Sequence, residues 1–458
     1  MKLKCPAVLD TGFAPMALVC RGMRENTKEN GQTIVVAAER NQGYTTVYKT
    51  RIYKDGTGHD EENFKYIDRI AKSLLWVSGG YKLIIAGSPL VGEYIKSAFS
   101  HGGSRDFDVR FMERVYESRF EVVLTDLENA PENKSSASPV GKHLDGCRIG
   151  FDAGGSDRKV SAVIDGKTVY SEEVVWFPKL QSDPEYHYEG ILNAMKTAAS
   201  HMPRVDAIGV SSAGVYIDNK IMVASLFLKV SDSDFERRVK NMYIDVAREI
   251  GENIPIEVAN DGDVTALAGA MSLNDNGILG IAMGTSEAAG YVDMDGNITG
   301  WLNELAFAPV DYNEDAMVDE WSGDYGCGVK YFSQDGVIKL APAAGIRLDE
   351  SASPAEKLKV VQGLMAEGDE RAKKIYETIG TYFGYTIAYY SEFYDMKQVL
   401  IMGRVTSGEG GVILLERAKE VLRLEFPELY EKVTLNIPDE KARRVGQSVA
   451  AASLPRIK

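Results

Sequence analysis

The sequence predicts an α/β protein of two similarly planned lobes preceded by a separate α/β module. Three observations predict it. Strand-like apolar runs alternate with stretches of helical apolar spacing along the whole chain. Two regions open with a strand, a glycine-rich turn and a second strand, at FDAGGSD (151–157) and MGTSEAAG (283–290). Finally, NAPENKSSASPVG (129–141) is rich in Pro, Ser, Gly and Asn without apolar periodicity, the composition of an exposed linker. The predicted domains are therefore residues 1–145, a module folding by itself, then lobes at 146–258 and 259–458.

Composition narrows the function classes. The 458 residues are 44% hydrophobic, ample for real cores, and carry a net charge of -15. The first module is near neutral and the acidic excess lies beyond it, which argues against a nucleic-acid surface covering the molecule. Cys5, Cys20, Cys147 and Cys327 are too widely spaced for a disulfide framework and suit a reducing compartment. No run approaches 18 apolar residues, and MKLKCPAVLD lacks the apolar stretch of a signal peptide. The expectation is a soluble cytoplasmic protein with neither a membrane nor a nucleic-acid partner.

In the first module, TIVVAAER (33–40) and TTVYKTRIY (45–53) read as strands and EENFKYIDRIAKSLLWV (61–77) as a helix. KLIIAGS (82–88) and FEVVLTD (120–126) are strand-like, with two helix-compatible stretches between them. The Gly102-Gly103 pair reads as a turn. From Cys147, three strands joined by tight turns form an antiparallel meander, followed by a helix at 188–202 and a buried strand in VDAIGVSSAG (205–214). GILGIAMGTSEAAGYVDMDGNITG (277–300) holds two more strands. Helices at about 355–366, 369–390 and 412–424 follow, with the strand QVLIMGR (398–404) between them.

Five segments carry chemistry. Asp152 ends an apolar strand, and Gly154, Gly155 and Ser156 form a turn whose backbone N–H groups can face a phosphate. Asp152 itself can hold waters of a phosphate-bound Mg2+. An ordinary hairpin turn has the same composition. The second turn places Thr285 and Ser286 hydroxyls beside Gly284, and two such turns match the donors a polyphosphate needs. In EVANDGDVTALAGA (257–270), Asn260-Asp261 signals a helix N-cap before a small-residue helix. Asp261 either caps that helix or accepts a proton from a substrate hydroxyl. QVLIMGRVTSGEGG (398–411) can seat a flat adenine ring on backbone, and ARRVGQSVAAAS (442–453) presents Gly446 and Ala450 on a close-packed face.

In order and spacing, these segments resemble the phosphate-1, connect-1, phosphate-2, adenosine and connect-2 segments of the sugar-kinase/actin/Hsp70 ATPase superfamily. Within it the sequence most resembles the ROK family of bacterial sugar kinases and sugar-responsive repressors. IGVSSAGVYIDNK (208–220) resembles the ROK stretch with a Pro-Gly turn, here Ala213-Gly214, and GNITGWLNELAFAPV (296–310) resembles its Gly-Glu-Ile-Gly-His segment. The likeness covers roughly residues 147–458 and implies an actin-like, ribonuclease H-like fold of two lobes about a cleft.

The resemblance implies an ATP-dependent kinase of a sugar-like hydroxyl compound. Asp261 would be the base, with Asn260, Glu304, Ala213 and Gly214 on the acceptor. Asp152, Gly154, Gly155, Ser156, Gly284, Thr285, Ser286, Gly403 and Arg404 would hold ATP and Mg2+. It also implies a homodimer. The departures matter as much. Phe307 stands where ROK proteins place a sugar- and zinc-binding His, and no His follows His201. EWSGDYGCGV (320–329) keeps Gly323, Gly326 and Cys327 of the zinc motif, but Glu320 and Ser322 replace two cysteines and Val329 replaces a sugar-binding Glu. One thiolate without partners makes no tetrahedral site, so no structural zinc is expected. Ser286 and Arg404 each replace a family glycine. These losses leave a second class open, a sugar-binding sensor or regulator without turnover. The activator ATPases of radical enzymes, another branch, use paired cysteines that this chain lacks.

Overall fold

A computed structural model describes residues 2–135, 140–438 and 440–457, with 440–445 as backbone only. Part of the predicted linker, 136–139, lies outside the described residues. The chain divides into two compact units that it threads more than once. Unit 1 comprises Met1–Ser136, Ile281–Ala289 and Trp301–Ile437; unit 2 comprises Ala137–Gly280, Gly290–Gly300 and Pro438–Lys458.

This division corrects the expected domains. Residues 1–145 do not stand as a module apart from 259–458; nearly all of them share unit 1 with residues 301–437. The cause is physical. The helix Asp60–Ser78 carries the buried cations Arg69 and Lys72, which meet the buried Asp324 at 2.6 and 2.7 Å, and its Ser73 accepts from the buried Tyr389 hydroxyl at 2.6 Å. Tyr382 donates to Asp10 and Arg24 pairs with Glu392. An element that buries charge can leave water only where its partners are, and here they lie some 250 residues away in sequence.

Unit 1 holds a four-stranded sheet in the order β2-β1-β3-β4, with β1 Gly31–Arg40, β2 Tyr44–Tyr53, β3 Lys82–Ala86 and β4 Glu121–Thr125. β1 is antiparallel to β2 and β3, and β4 runs parallel to β3. The crossover from β3 to β4 uses the helices Pro89–Ala98 and Asp106–Tyr116, the two stretches read as helix-compatible. The helix Met16–Asn26 had no reading in the sequence.

Unit 2 is built on a five-stranded sheet in the order β11-β8-β5-β6-β7. Its strands are β5 Cys147–Ala153, β6 Asp157–Ile164, β7 Lys167–Val175, β8 Ala207–Ser212 and β11 Ile256–Asn260. β5, β6 and β7 form the antiparallel meander, whereas β8 and β11 add parallel to the other side of β5. A small hairpin, β9 Val215–Ile217 with β10 Lys220–Val223, follows β8. Its core gathers Phe151, Trp176, Ile191, Met195, Phe227, Met242 and Tyr243 from one face of the sheet and the helices packed on it. The helix Glu440–Ala452 returns here, and Gly446 lies against Ala268 of the helix Asp261–Leu273, the close packing that the small residues predict.

A second four-stranded sheet runs β13-β12-β14-β15, from β12 Ile278–Met283, β13 Glu287–Val292, β14 Gln398–Met402 and β15 Thr434–Asn436. The chain passes from one unit to the other within β12 and again within β13. In unit 1 the long helix Glu370–Tyr390 buries Tyr376, Tyr382, Tyr385, Tyr389 and Tyr390.

Candidate functional site

In unit 2, strand register decides which side chains meet. β5, β8 and β11 are parallel, and register pairs Asp152 with Ser211, Ala153 with Ser212 and Ser212 with Asn260. Their carboxyl ends are therefore level. The Gly154–Ser156 turn, the Ala213-Gly214 turn and Asp261 all leave the sheet along one edge, where open α/β sheets bind ligands. Three stretches of sequence read separately converge there.

The polar groups on that edge are ordered. Ser211 Oγ donates to Asp152 Oδ1 at 2.9 Å, and Tyr243 Oη donates to Ser212 Oγ at 3.0 Å. Burial pushes the Asp152 carboxyl up to about 6; the Ser211 hydrogen bond opposes this and the charge of Asp261 adds to it. Asn260, not Asp261, supplies the side-chain cap of the helix Asp261–Leu273. Its Oδ1 accepts from Gly262 N at 2.7 Å, while Nδ2 donates to Gly214 O at 2.7 Å. That amide thereby ties two of the turns together. Asp261 accepts a longer bond from Gly262 N at 3.0 Å through Oδ1. Desolvation raises its carboxyl, opposed by that N–H and by the charge of Lys179.

Unit 1 carries the remaining nucleotide candidates. Gly284 N donates to Ser286 O at 2.9 Å and Gln334 N donates to Gly284 O at 2.9 Å, which closes the turn and leaves Thr285 and Ser286 exposed. Gly403, at φ 100, lies on the backbone of Met283 so closely that a Cβ has no room. The adenosine-type and second phosphate-type segments thus abut. Arg404 is exposed, and its carbonyl accepts from Gln362 Nε2 at 2.7 Å. Beside it opens a cavity of about 260 Å³ lined by Gln362, Met365, Ala366, Tyr376 and Ser407–Gly410. Tyr376, one of its lining residues, buries its hydroxyl without a hydrogen-bond partner. The sequence pointed to Gly403 and Arg404; Gln362, Met365 and Tyr376 carried no signal because they sit on helices with ordinary apolar spacing.

No family model matches the sequence, and no curated protein matches it. Solved structures do. A ROK-family transcriptional regulator, a homologue of the E. coli MLC protein, superposes with a TM-score of 0.51 at 18% identity, over 68% of this chain and 79% of that one. The chain has the ROK fold. A ROK hexokinase from Thermus thermophilus gives a TM-score of 0.49 at 17% identity, over 66% of this chain and 97% of that chain. A ROK glucokinase from Streptomyces griseus, in complex with glucose and AMPPNP, gives 0.48 at 18%, over 67% and 98%.

Two of the segments that depart from the ROK pattern, around Phe307 and Asp324, meet the N-terminal residues of unit 1. Asn303 N and Glu304 N donate to Val77 O and Trp76 O, each at 3.0 Å. Phe307 packs its ring 4.4 Å from Trp76 and 5.5 Å from Phe107, in a cluster that includes Phe111. Glu304 is half-buried. Around the degenerate zinc motif, Cys327 is buried and desolvation raises its thiol, while Ser322 Oγ donates to Asp319 and Glu320 pairs with Lys330 at 2.5 Å. Among the described residues, no three His, Cys, Asp or Glu side chains gather to hold a metal ion.

One group was missed entirely. Glu287, just after the second glycine turn, is buried with neither carboxylate oxygen hydrogen-bonded. Burial raises its carboxyl well above the ordinary range, and Glu304 pushes it further. A raised folded-state value means the native protein binds more protons than the unfolded one, so this group weakens the fold as pH rises above about 4.3. Glu287→Met is therefore expected to stabilise the protein by about 1–3 kcal/mol at pH 7. The gain should shrink towards pH 4, as read by urea denaturation at both pH values; a loss of stability at pH 7 contradicts the assignment.

Proposed function

We propose that the protein transfers a phosphoryl group from ATP to a hydroxyl of a sugar or sugar-like acceptor. The observation that carries this reading is the level edge of β5, β8 and β11, which brings Asp152, the Gly154–Ser156 turn and Asp261 to one place. Asp261 accepts the acceptor's proton as its oxygen bonds to the γ-phosphorus. The bond from that phosphorus to the bridging oxygen breaks, and its electron pair leaves on ADP. A partly desolvated carboxylate is a stronger base than one in water, and Asn260 holds the chain at Asp261 in one orientation.

Asp152, Ser211 and Ser156 are hard oxygen donors and suit water-mediated magnesium. Magnesium brought with ATP supplies charge neutralisation at the phosphates. Asp152, raised in the free protein, is a carboxylate that a nearby cation returns to its ionised form. In unit 1, the exposed Thr285 and Ser286 hydroxyls suit phosphate oxygens, and the cavity over Tyr376 suits an adenine with one polar edge.

Phe307 and Val329 favour a second reading, sugar binding without turnover, because each puts an apolar side chain where ROK kinases contact sugar hydroxyls. Phosphorus NMR of the protein with Mg·ATP and a panel of hexoses, amino sugars and polyols separates the two. A phosphorylated acceptor formed faster than free phosphate supports the kinase. Acceptor binding by calorimetry with no phosphorylated product supports the sensor.

A further inference from the structure

The connection that follows β7 folds back over the first glycine turn and is fastened on both sides. Trp176 Nε1 donates to Gly154 O at 2.7 Å, and Trp176 N donates to Ser156 O at 3.1 Å. Phe177 N donates to Tyr186 Oη at 3.0 Å. The buried His187 places Nε2 3.0 Å from Pro178 O and 3.1 Å from Leu226 O. Residues Pro178–Leu180 then form a single 3-10 turn.

Lys179 is the exposed centre of that turn. Its ammonium lies over Gly155, where an added Cβ would be 3.2 Å from Nζ and 3.0 Å from Cε. Two other cations stand nearby, and both are engaged. Arg158 is drawn over the Trp176 ring, and Lys159 pairs with Asp157 at 3.2 Å. Among the described residues Lys179 has no ion-pair partner, in a chain with a net charge of -15. Its charge also opposes the rise of the Asp261 carboxyl. Apart from Lys179, no described side chain beyond the chain neighbours comes within 4 Å of a Cβ added at Gly155, so an exposed, unpaired ammonium beside this turn can move out to meet an anion.

We propose that Lys179 binds the terminal phosphate of the phosphoryl donor above the Gly154–Ser156 turn. This deepens the phosphotransferase reading and rests on it. As the γ-phosphoryl group passes to the acceptor, the ammonium stays within reach of its oxygens, where developing charge rewards a neighbouring cation. No local pattern announced this residue, because Lys179 is 24 positions beyond Gly155.

Lys179→Met, Lys179→Arg and Gly155→Ala test the assignment through ATP kinetics and titration with inorganic tripolyphosphate. Lys179→Met should lower kcat/KM for ATP by about 10²-fold, the loss typical of one transition-state donor, and weaken tripolyphosphate binding at least about tenfold. Lys179→Arg should recover most of both. Gly155→Ala, whose methyl pushes the flexible ammonium aside, should fall between wild type and Lys179→Met. Thermal stability should not change, since the side chain is exposed. If the wild type transfers phosphate and Lys179→Met keeps kcat/KM within twofold, the lysine's role is wrong and the kinase reading stands. If the wild type transfers phosphate to no acceptor, the kinase reading fails. The tripolyphosphate titration then decides Lys179 by itself, and absent or equal binding by wild type and Lys179→Met overturns it.

Discussion

Asp261→Asn is expected to lower kcat for phosphoryl transfer by about 10³-fold, with tripolyphosphate bound at least as tightly as by the wild type. The substitution keeps the shape of the side chain and its hydrogen bond from Gly262, so the helix start is preserved. What it removes is the carboxylate that directly follows β11 on this edge of the sheet. The cap does not depend on it, because Asn260 supplies that. Stability should hold or rise at pH 7. Desolvation raises the Asp261 carboxyl, so the folded chain favours its neutral form and the ionised carboxylate weakens the fold as pH rises. A variant that unfolds would be uninformative, which is why the sign matters. Retention of more than a tenth of wild-type kcat with the preferred acceptor would remove Asp261 from the chemistry.

The parts of this site that were legible in the sequence are those written locally. A glycine turn after an apolar strand is visible within seven residues, which is how Asp152–Ser156 and Gly284–Ser286 are read, whereas Asn260-Asp261 reads as a helix cap and Ala213-Gly214 rests on the ROK resemblance. In unit 2, Asp152–Ser156, Ala213-Gly214 and Asn260-Asp261 converge through parallel register, while Gly284–Ser286 belongs to unit 1. The N-terminal residues were misread as a free module because their partners are remote. Arg69 and Asp324 are separated by 255 positions, and a lone charged residue inside a helical pattern looks like a solvated face. Phe307 and Val329 read as losses from a polar pocket. The structure shows what one of them gained, since Phe307 is the point where Trp76, Phe107 and Phe111 attach. Glu287 was silent for the opposite reason: nothing in a turn sequence tells that a carboxylate will be buried without a donor.

The same remote pairing supports the largest stability effect. Asp324 receives Arg69, Lys72 and Arg105 at 2.6, 2.7 and 2.7 Å, and all four residues are buried. Arg105 also grips Asp68, and Lys72 lies 3.6 Å from Asp108, whose Oδ1 accepts from Trp76 Nε1 at 2.6 Å. Three cations meet three carboxylates, so the cluster is balanced only while Asp324 is charged. Burial by itself raises the Asp324 carboxyl, but the three cations outweigh it and hold it well below the ordinary range. Asp324→Asn leaves two carboxylates for three buried cations and should cost about 3–5 kcal/mol at pH 7 in urea denaturation. Because the folded-state value is depressed, the stabilisation is complete above about pH 4 and is lost as pH falls further. Wild type and Asp324→Asn should therefore converge in strong acid, which separates a lost charge from a simple packing defect. Unfolding should remain cooperative between the N-terminal strands and the helix Glu370–Tyr390, because the cations sit on the former side of unit 1 and Asp324 on the latter. A cost below about 1 kcal/mol at pH 7, or a difference that persists unchanged at pH 2, would mean that the N-terminal residues are held to the rest of unit 1 by something other than this cluster.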